Sequence, residues 1–564
     1  MANLSQLRRQ RMLAFLEKMR EQHKDDDEVL VAINEVENEI NEKKYGLVWE
    51  EHSEEVEDRM VDEVPIFVED KDKEITMTDN GYNFLLEGDN LHSLHLLEKT
   101  HREKIDVIYI DPPYNTRNKE FIYDDCRIGK DDTFRHSKWL SFMAKRLVIA
   151  KRLLAESGTI FISIDDNEES QLKILCDTIF GEDNFVANIA IVGTANESND
   201  GVLIQNNKES LLVYAKNYPH ARINRIDSVK ASARSLADAP SGLSTRLSMG
   251  YTIYYNEKTG DMQPVFDYDE SKVATNDESQ IYTDNQDLIN AGYTPVRPGF
   301  RNGVIWRWRW GIDTFWARKD DITIRKNKTG RFVAEFIQSG KNPPRNVQSF
   351  TTGTVELRDL LGANKFPSPK SLDMMRWILQ ISTKKDSEVL DFFAGTGTMG
   401  QAVLRLNAED GGNRHFILCT NNTETDGKVC ENMTYPRIKT AITGVRSDGS
   451  SYSGGIPADL KYYHTDFILK KSEHLADDLI AHVDEMIQLE YGVKIDKEKY
   501  ISILTDEDAD ELEKNWQNFP NIRAIYISRH VLLTGKQKEL FDTKDCFVIP
   551  DYYFREELRD AGEA

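Results

Sequence analysis

Two short stretches carry the residue types from which group-transfer chemistry can be built. At Val107–Asn115 the sequence VIYIDPPYN sets a carboxylate, Asp111, directly behind an apolar run, followed by two prolines and Tyr114. Such a run reads as a buried parallel strand, and in a parallel sheet ligands bind beyond the carboxyl ends. Pro112 and Pro113 fix φ and cannot continue a ladder, so they hold a rigid turn whose carbonyls project beside Asp111. That turn offers fixed acceptors for an amino group, with Tyr114 placed to stack on a planar ring; the same residues could also form an ordinary strand-ending turn. The second stretch, LDFFAGTGTM over Leu390–Met399, closes a strand at Asp391, and Gly395 and Gly397 then let backbone approach a ligand before a helix starts. Gly395, Gly397 and Gly400 also fit the GxGxxG spacing, so spacing alone leaves open a nucleotide phosphate on the helix N-terminus. A nicotinamide site would place an acidic residue about 20 positions on, at the end of the next strand. That strand ends ILCTNN, with Asn421 and Asn422 there and Glu424 just beyond.

The elements that must hold these turns surround them. Strand-like runs at Tyr82–Glu87, Asp106–Ile110 and Thr159–Ile164 alternate with helix-like runs at Asn90–Lys99 and Lys138–Glu156, the βαβ rhythm of a parallel sheet. The rhythm resumes far along the chain, with a strand at Glu388–Phe393, a helix from Gly400 to Leu406 and a strand at Arg414–Thr420. Between the halves, from about Gly193 to Phe350, short alternating runs and Gly/Pro/Asn turns indicate an inserted, largely β-structured domain. Leu7 to about Lys44 reads as a helical hairpin broken near Lys24–Asp27, and Glu50 to Glu74 as an acidic connector. Beyond Gly444, the linker SDGSSYSGG leads to a small unit with a helix near Ser472–Glu490 and strands at Ala524–Ile527 and Phe547–Ile549.

Composition narrows the class. A chain of 564 residues with 39% hydrophobic residues and 16 prolines is globular and exceeds one domain, which excludes low-complexity disorder and fibrous repeats. Mean hydropathy is −0.56, and no apolar run approaches the roughly 20 residues of a bilayer span. MANLSQLRRQRM lacks the apolar core of a signal peptide, so a soluble, cytoplasmic protein is expected. Cys126, Cys176, Cys419, Cys430 and Cys546 are scattered singly, against a zinc site or disulfide framework. The net charge of −24 argues at first against a phosphate backbone as partner. It is uneven: residues 1–75 hold 22 acidic and 11 basic side chains, and residues 470–564 hold 22 and 13. Arg297–Arg345 instead holds 12 basic and four acidic residues, with Trp306, Trp308, Trp310 and Trp316 interleaved. Arginine suits phosphates and guanine edges, and aromatics can stack on bases. In IWRWRWG the alternative is an amphipathic strand whose Trp face is core.

DPPY together with DFFAGTG resembles the amino-methyltransferases of DNA. The second motif is close to the DxFxGxG pattern of S-adenosylmethionine binding, and the order, DPPY first, is that of the β-class permutation. KYGLVWEEH, FLLEGDNLHSLHLLEKT, HSKWLSFMAKRL, GTIFISIDDNE, KESLLVYAKN and FPSPKSLDMMRWIL resemble the Mod (modification) subunits of type III restriction-modification systems, over roughly residues 45–445. The resemblance implies an α/β, Rossmann-like S-adenosylmethionine-dependent methyltransferase fold, circularly permuted. Its implied parts are a helical, acidic N-terminal extension (1–75), a first core segment bearing DPPY (76–195) and a target-recognition domain (196–355). A second, cofactor-binding core segment (356–446) and a small acidic α/β domain (455–564) follow.

The implied activity is site-specific transfer of methyl from S-adenosyl-L-methionine to adenine N6, without a metal, on a base flipped out of double-stranded DNA. Asp111 and the Pro112 carbonyl would accept the two N–H bonds of the amine, Pro113 would complete the turn, and Tyr114 would stack on the base. Asp391, Phe392, Phe393, Gly395 and Gly397 would face the cofactor, with Phe366 and Lys370 of FPSPK beside it. Asp89 would accept from the cofactor's adenine amine, with helix capping as the alternative. Asn421 or Glu424 would stand where a ribose carboxylate is usual. Arg301, Arg307, Arg309, Arg318 and Lys326 would contact DNA. A second Mod subunit and a helicase-nuclease (Res) subunit are the implied protein partners. The alternatives are an orphan DNA amino-methyltransferase, cytosine-N4 specificity, or a catalytically idle DNA-reading subunit.

Overall fold

Ten strands form one sheet: β1 (Glu63–Glu69), β2 (Tyr82–Glu87), β3 (Ile105–Ile110), β4 (Leu154–Ile164), β5 (Phe185–Val192), β6 (Lys208–Ala215), β7 (Val347–Ser349), β8 (Glu388–Asp391), β9 (His415–Thr420) and β10 (Asp459–Leu469). Their order across the sheet is β1-β10-β2-β9-β8-β3-β4-β6-β5-β7. The run from β10 to β4 is parallel, and β6 lies antiparallel to both of its neighbours. The structure is a computed structural model, and it describes residues 4–24, 27–41, 49, 52, 54–116, 122–123, 126–127, 135–193, 207–227, 233–337, 341–350, 353–362, 369–424, 427–549 and 553–560.

Six helices cover the sheet: α1 (Asn90–His101), α2 (Arg135–Leu153), α3 (Glu169–Phe180), α4 (Leu372–Ser382), α5 (Thr398–Asp410) and α6 (Tyr435–Thr443). Leu91, Leu94, Trp139, Leu147 and Leu172 pack in one core with Phe84, Leu86, Ile108, Ile110, Leu390 and Ile417. The strand residues between these, Leu85, Val107, Val389 and Leu418, are equally buried. Side chains alternate along a strand, so both faces of the central strands are covered, which is why they read as continuous apolar runs. Gly400 is required by this packing: a Cβ there would lie 2.8 Å from Ile438 Cδ1 and 2.9 Å from Leu418 Cδ1. From β8 the chain continues through α5 to β9 on one side, and from β3 through α2 to β4 on the other. The β8–β3 boundary is therefore the topological switch point, where open α/β sheets bind ligands.

Three expectations are corrected. The acidic connector is not a connector: it contains a helix, Glu55–Asp62, and then β1, whose Val64, Ile66 and Phe67 are buried. The inserted unit is Arg225–Pro344, shorter than 196–355 at both ends. Strands β6 and β7, which fall within 196–355, belong to the main sheet beside β5, because a short apolar strand looks the same whichever sheet receives it. Residues 455–564 are not a separate unit, since β10 pairs with both β1 and β2. Only the later strands Tyr500–Ile503, Ala524–Ser528 and Asp545–Ile549 form their own parallel sheet. The N-terminal helices, Leu4–Gln22 and Asp27–Asn41, are joined by Arg20, which donates to Asn34 Oδ1 and pairs with Glu37. Within Arg225–Pro344, small antiparallel sheets enclose a core of Tyr251, Ile253, Trp308, Trp310, Phe315 and Phe336. No helix among the described residues is long and apolar enough to cross a membrane.

One buried carboxyl group makes stability depend on pH. Glu485, on the helix Val483–Tyr491, is pushed up to about 7 by burial, reinforced by Asp484 and Glu69, and among the described residues its Oε2 has no hydrogen-bond partner. A folded-state pKa above the usual 4.5 means the native protein binds the proton more tightly than the unfolded chain. Stability from this group is therefore present below about pH 4.5 and lost as pH rises to about 7. Glu485→Gln is expected to match the wild type at pH 4.5 and to exceed it by about 3 kcal/mol at pH 8, checked by urea unfolding at both pH values.

Candidate functional site

Asp111 leaves the carboxyl end of β3 into a turn fixed from several directions. The Tyr114 hydroxyl donates to Asp111 Oδ1 at 2.8 Å. The Lys370 ammonium lies 3.3 Å from the same oxygen, donates to the Tyr114 hydroxyl at 2.5 Å, and sits 2.6 Å from Glu209 Oε2. Lys370 precedes α4, and Glu209 is the second residue of β6. Burial raises the pKa of Asp111 and Glu209 adds to that, while Lys370 and the Tyr114 hydroxyl oppose it. Burial works against the charge of Lys370, but Asp111 and Glu209 outweigh it and hold its pKa above the usual value. Two carboxylates, one ammonium and one phenol thus share a partly buried cluster of formal charge −1.

Beneath this cluster the turn is pinned. Trp139 Nε1 donates to the Pro113 carbonyl at 2.7 Å, so that carbonyl is already engaged. Among the described residues no N–H or O–H reaches the Pro112 carbonyl. Asn115 has φ +53°, and its amide donates to the fully buried Glu168, which also bonds His136 Nδ1 at 2.5 Å. Asparagine tolerates this left-handed conformation because its short side chain can bond locally.

The glycine-rich turn lies at the adjoining strand end. Asp391 is 2% exposed, and its Oδ1 accepts the Phe393 N–H at 3.1 Å. Burial first, and the charge of Asp111 in addition, hold its carboxyl well above the usual range. Gly395 and Gly397 have φ +49° and +76°, the left-handed region that favours glycine. The Thr434 hydroxyl donates to the Gly395 carbonyl at 2.5 Å, and buried Arg437 donates to the Thr396 and Thr398 hydroxyls at 2.8 and 2.7 Å. On the other side, the Asn90 amide donates to the Phe392 carbonyl at 2.7 Å. Arg146 Nε donates to Asn90 Oδ1 at 2.5 Å, and its Nη1 donates to both Glu54 oxygens at 3.0 Å. A chain of polar contacts therefore runs from residue 54 through α2 and α1 into the turn.

The expected site residues divide accordingly. Asp111, Pro112, Pro113, Tyr114 and Lys370 come together, and Asp391, Phe393, Gly395 and Gly397 line the adjoining strand end. Phe392 points into the core at 0% exposure, and Phe393 packs against Phe142 with ring centroids 5.9 Å apart. Phe366 lies outside the described residues. Asp89 caps α1, accepting from the Leu91 N–H at 2.7 Å, and the same oxygen lies 3.3 Å from Arg146. Asn421 is half-buried, and its carbonyl accepts the Cys430 N–H; Asn422 donates to Glu87 at 2.8 Å. Glu424 is exposed and pairs with Lys428.

In the Arg225–Pro344 unit, IWRWRWG is not the amphipathic strand that its alternation allows. The strand ends at Ile305, and Trp308 and Trp310 turn into the core from an irregular segment. Arg307 and Arg309 line an open depression with Arg246, Asp238, Ala239 and Pro240. Arg307 is 7% exposed and, among the described residues, bonds neutral acceptors: the Ser241 hydroxyl, the Trp308 carbonyl and the Met249 sulfur. Arg309 donates to the Asp238 carbonyl and Arg301 to that of Ala237. Arg318 and Lys326 are paired with Asp321 and Glu257.

Sequence reasoning missed Glu209, Trp139, Asn115, Glu168 and Arg146 as site-building residues. Glu209 had a signal: an acidic residue opening the apolar run SLLVYA. That position reaches the site only because β6 runs antiparallel, which brings its first residues to the edge where the parallel strands end.

The model of the DNA methylase family matches residues 105–431. The Mod subunit of the type III restriction-modification enzyme EcoPI of Escherichia phage P1 is 33% identical over 446 residues, 72% of this chain and 67% of that protein. The StyLTI Mod subunit of Salmonella typhimurium is 31% identical over 438 residues, 71% of this chain and 62% of that protein. The type II methyltransferase M.KpnI of Klebsiella pneumoniae is 33% identical over 380 residues, 63% of this chain and 84% of that protein. The chain thus spans about two thirds of the length of the EcoPI and StyLTI Mod subunits.

Removing one partner of a buried ion pair strands the other. Arg146→Met is expected to lower stability by about 3–5 kcal/mol, through the buried Glu54 carboxylate it leaves behind. Adding Glu54→Gln should recover part of that loss, measured by urea unfolding of the single and double variants.

Proposed function

This chain belongs to the DNA methylase family, and from that premise we propose that it methylates adenine N6 at specific sites in double-stranded DNA, as the modification and recognition subunit of a type III-like restriction-modification system. The observation that carries the proposal is the meeting, at two adjoining strand ends, of the Asp111–Tyr114–Lys370–Glu209 cluster and a left-handed glycine turn. An exocyclic amine is a poor nucleophile because its lone pair is delocalised into the ring. Asp111 and the Pro112 carbonyl, aimed at its two N–H bonds, favour a pyramidal nitrogen and stabilise the positive charge that develops there. Tyr114 stacks on the flipped base once its hydroxyl leaves Asp111. The residues present fit S-adenosylmethionine: Gly395 and Gly397 bring bare backbone to the ligand, Asp391 fixes the turn from below, and Lys370 flanks it. When bound, that cofactor supplies a methyl group already activated on a sulfonium.

Asp rather than Ser before Pro-Pro-Tyr favours adenine over cytosine N4. The Arg225–Pro344 unit is the reader of DNA sequence, with the Arg246–Arg307–Arg309 depression as its principal contact. Arg307 supports this, since a largely buried guanidinium without a carboxylate partner suits a phosphate oxygen or a guanine edge. Arg301 is a secondary contact, and Arg318 and Lys326 reach DNA only by releasing their carboxylates. A second Mod subunit and a helicase-nuclease subunit are the partners proposed for the assembled system.

Sequencing of modified bases in DNA from cells expressing the chain is expected to find N6-methyladenine in one fixed sequence context. N4-methylcytosine would replace the adenine assignment, and bound but unmodified DNA would favour an idle reading subunit. Asp111→Ala is expected to lower methyl transfer by about 10²-fold or more with DNA affinity retained; unchanged transfer would remove Asp111 from the mechanism.

A further inference from the structure

Asp111 Oδ1 already has two donors, the Tyr114 hydroxyl at 2.8 Å and the Lys370 ammonium at 3.3 Å. An amine entering the site must compete with both. Glu209 offers each of them another acceptor. Lys370 lies closer to Glu209, at 2.6 Å, than to Asp111, and the Tyr114 hydroxyl is 3.4 Å from the same Glu209 oxygen. Glu209 stands on β6 and Asp111 behind β3, so neither is tied to the other through a shared turn.

We propose that Glu209 is a positioning residue for methyl transfer: it holds the Lys370 ammonium and receives the Tyr114 hydroxyl, leaving Asp111 free for the amine of the target base. The proposal rests on the methyltransferase function. Without the Glu209 charge, Asp111 is the remaining carboxylate that faces Lys370. Charge-assisted hydrogen bonds are roughly twice as strong as neutral ones, so a neutral amine would then have to displace an ammonium from Asp111. With Glu209 present, the ammonium is retained between two carboxylates and the cluster keeps its formal charge of −1. That charge also complements the positive charge developing on the amine nitrogen.

The titratable groups that face Asp111 are Tyr114 on its own turn, Lys370 before α4, Glu209 on β6, Asp391 behind β8 and Tyr109 on β3. Among these, Glu209→Gln removes a negative neighbour and leaves Lys370 to Asp111 alone. Both changes lower the pKa of Asp111.

The test is steady-state transfer of labelled methyl from S-adenosylmethionine, held at saturation, to unmethylated genomic DNA. The proteins are the full chain, Glu209→Gln, Lys370→Met and the double variant. Glu209→Gln is expected to reduce kcat about tenfold or more, with the KM for DNA within about threefold of the wild type. The acid limb of its kcat–pH profile should move to lower pH. In the Lys370→Met background, Glu209→Gln should cost less than about threefold, because the main part of its effect, holding the ammonium 2.6 Å away, runs through Lys370. Wild-type kcat in Glu209→Gln, an unshifted acid limb, or losses that multiply in the double variant would each overturn the proposal. Should Glu209→Gln melt early, Glu209→Asp keeps the charge and shortens the reach; a reduced kcat with a limb displaced less than in Glu209→Gln is expected, and an unreduced kcat overturns the proposal. A wild-type chain that transfers no methyl to DNA would overturn the methyltransferase function itself, and with it this inference. Active wild type with equally active Glu209→Gln would overturn the inference alone.

Discussion

The pairing of β8 with β3, with Val389 opposite Val107 and Leu390 opposite Ile108, is the constraint on which the site depends. It sets two aspartates, Asp391 and Asp111, at neighbouring strand ends, although the chain reaches them far apart. Because the crossovers diverge here, this boundary is the place where open α/β sheets bind ligands. The remaining site features serve that juxtaposition. Trp139 and Glu168 lock the turn after β3; Thr434, Arg437 and Asn90 lock the turn after β8.

Placing two carboxylates side by side has an electrostatic consequence. Burial already disfavours the charged form of each, and the negative charge of Asp111 raises Asp391 further. The two respond differently because their surroundings differ. Asp391 receives one backbone N–H and no cation, which suits a structural role in shaping the turn. Asp111 faces Lys370, which opposes the effect of burial and favours its ionised form. Lys370 is at the same time shared with Glu209, so its charge is divided between two carboxylates.

The central strands and their following turns were legible in the sequence because burial on both faces leaves unbroken apolar runs, and because proline and glycine mark the turns. Tyr82–Glu87 and the helical hairpin near the N-terminus were legible for the same local reasons. What could not be read was membership. Nothing in KESLLVYA or VQS states that they extend the main sheet rather than the inserted unit, since the pairing partner of a strand is a non-local property. Glu209 was missed for that reason alone: its role follows from strand direction. Arg146 and Glu54 were missed because buried charges resemble exposed ones in sequence until their partners are known. The Trp residues of IWRWRWG were left open between core and surface by their alternation, and the structure divides them, with Trp308 and Trp310 inside and Trp306 half-buried.

The same point changes the meaning of the charge. The acidic excess of residues 1–75 looks, in sequence, like a surface reserved for a protein partner. In the structure a good part of it is consumed within the fold. Lys461, on β10 and fully buried, is bonded to Glu69 and lies 3.5 Å from Glu74, and Glu74 also pairs with Lys494. Glu54 is bonded to Arg146, and Glu57 to Lys145. These contacts join residues 54–74 to α2 and to the segment after β10, so the acidic stretch acts as an internal clamp on the sheet. The acidic side chains left for a partner are those of the two N-terminal helices and of the surface after β10. The stretch from Arg297 to Arg345 stands apart from that balance, with 12 basic residues against four acidic ones.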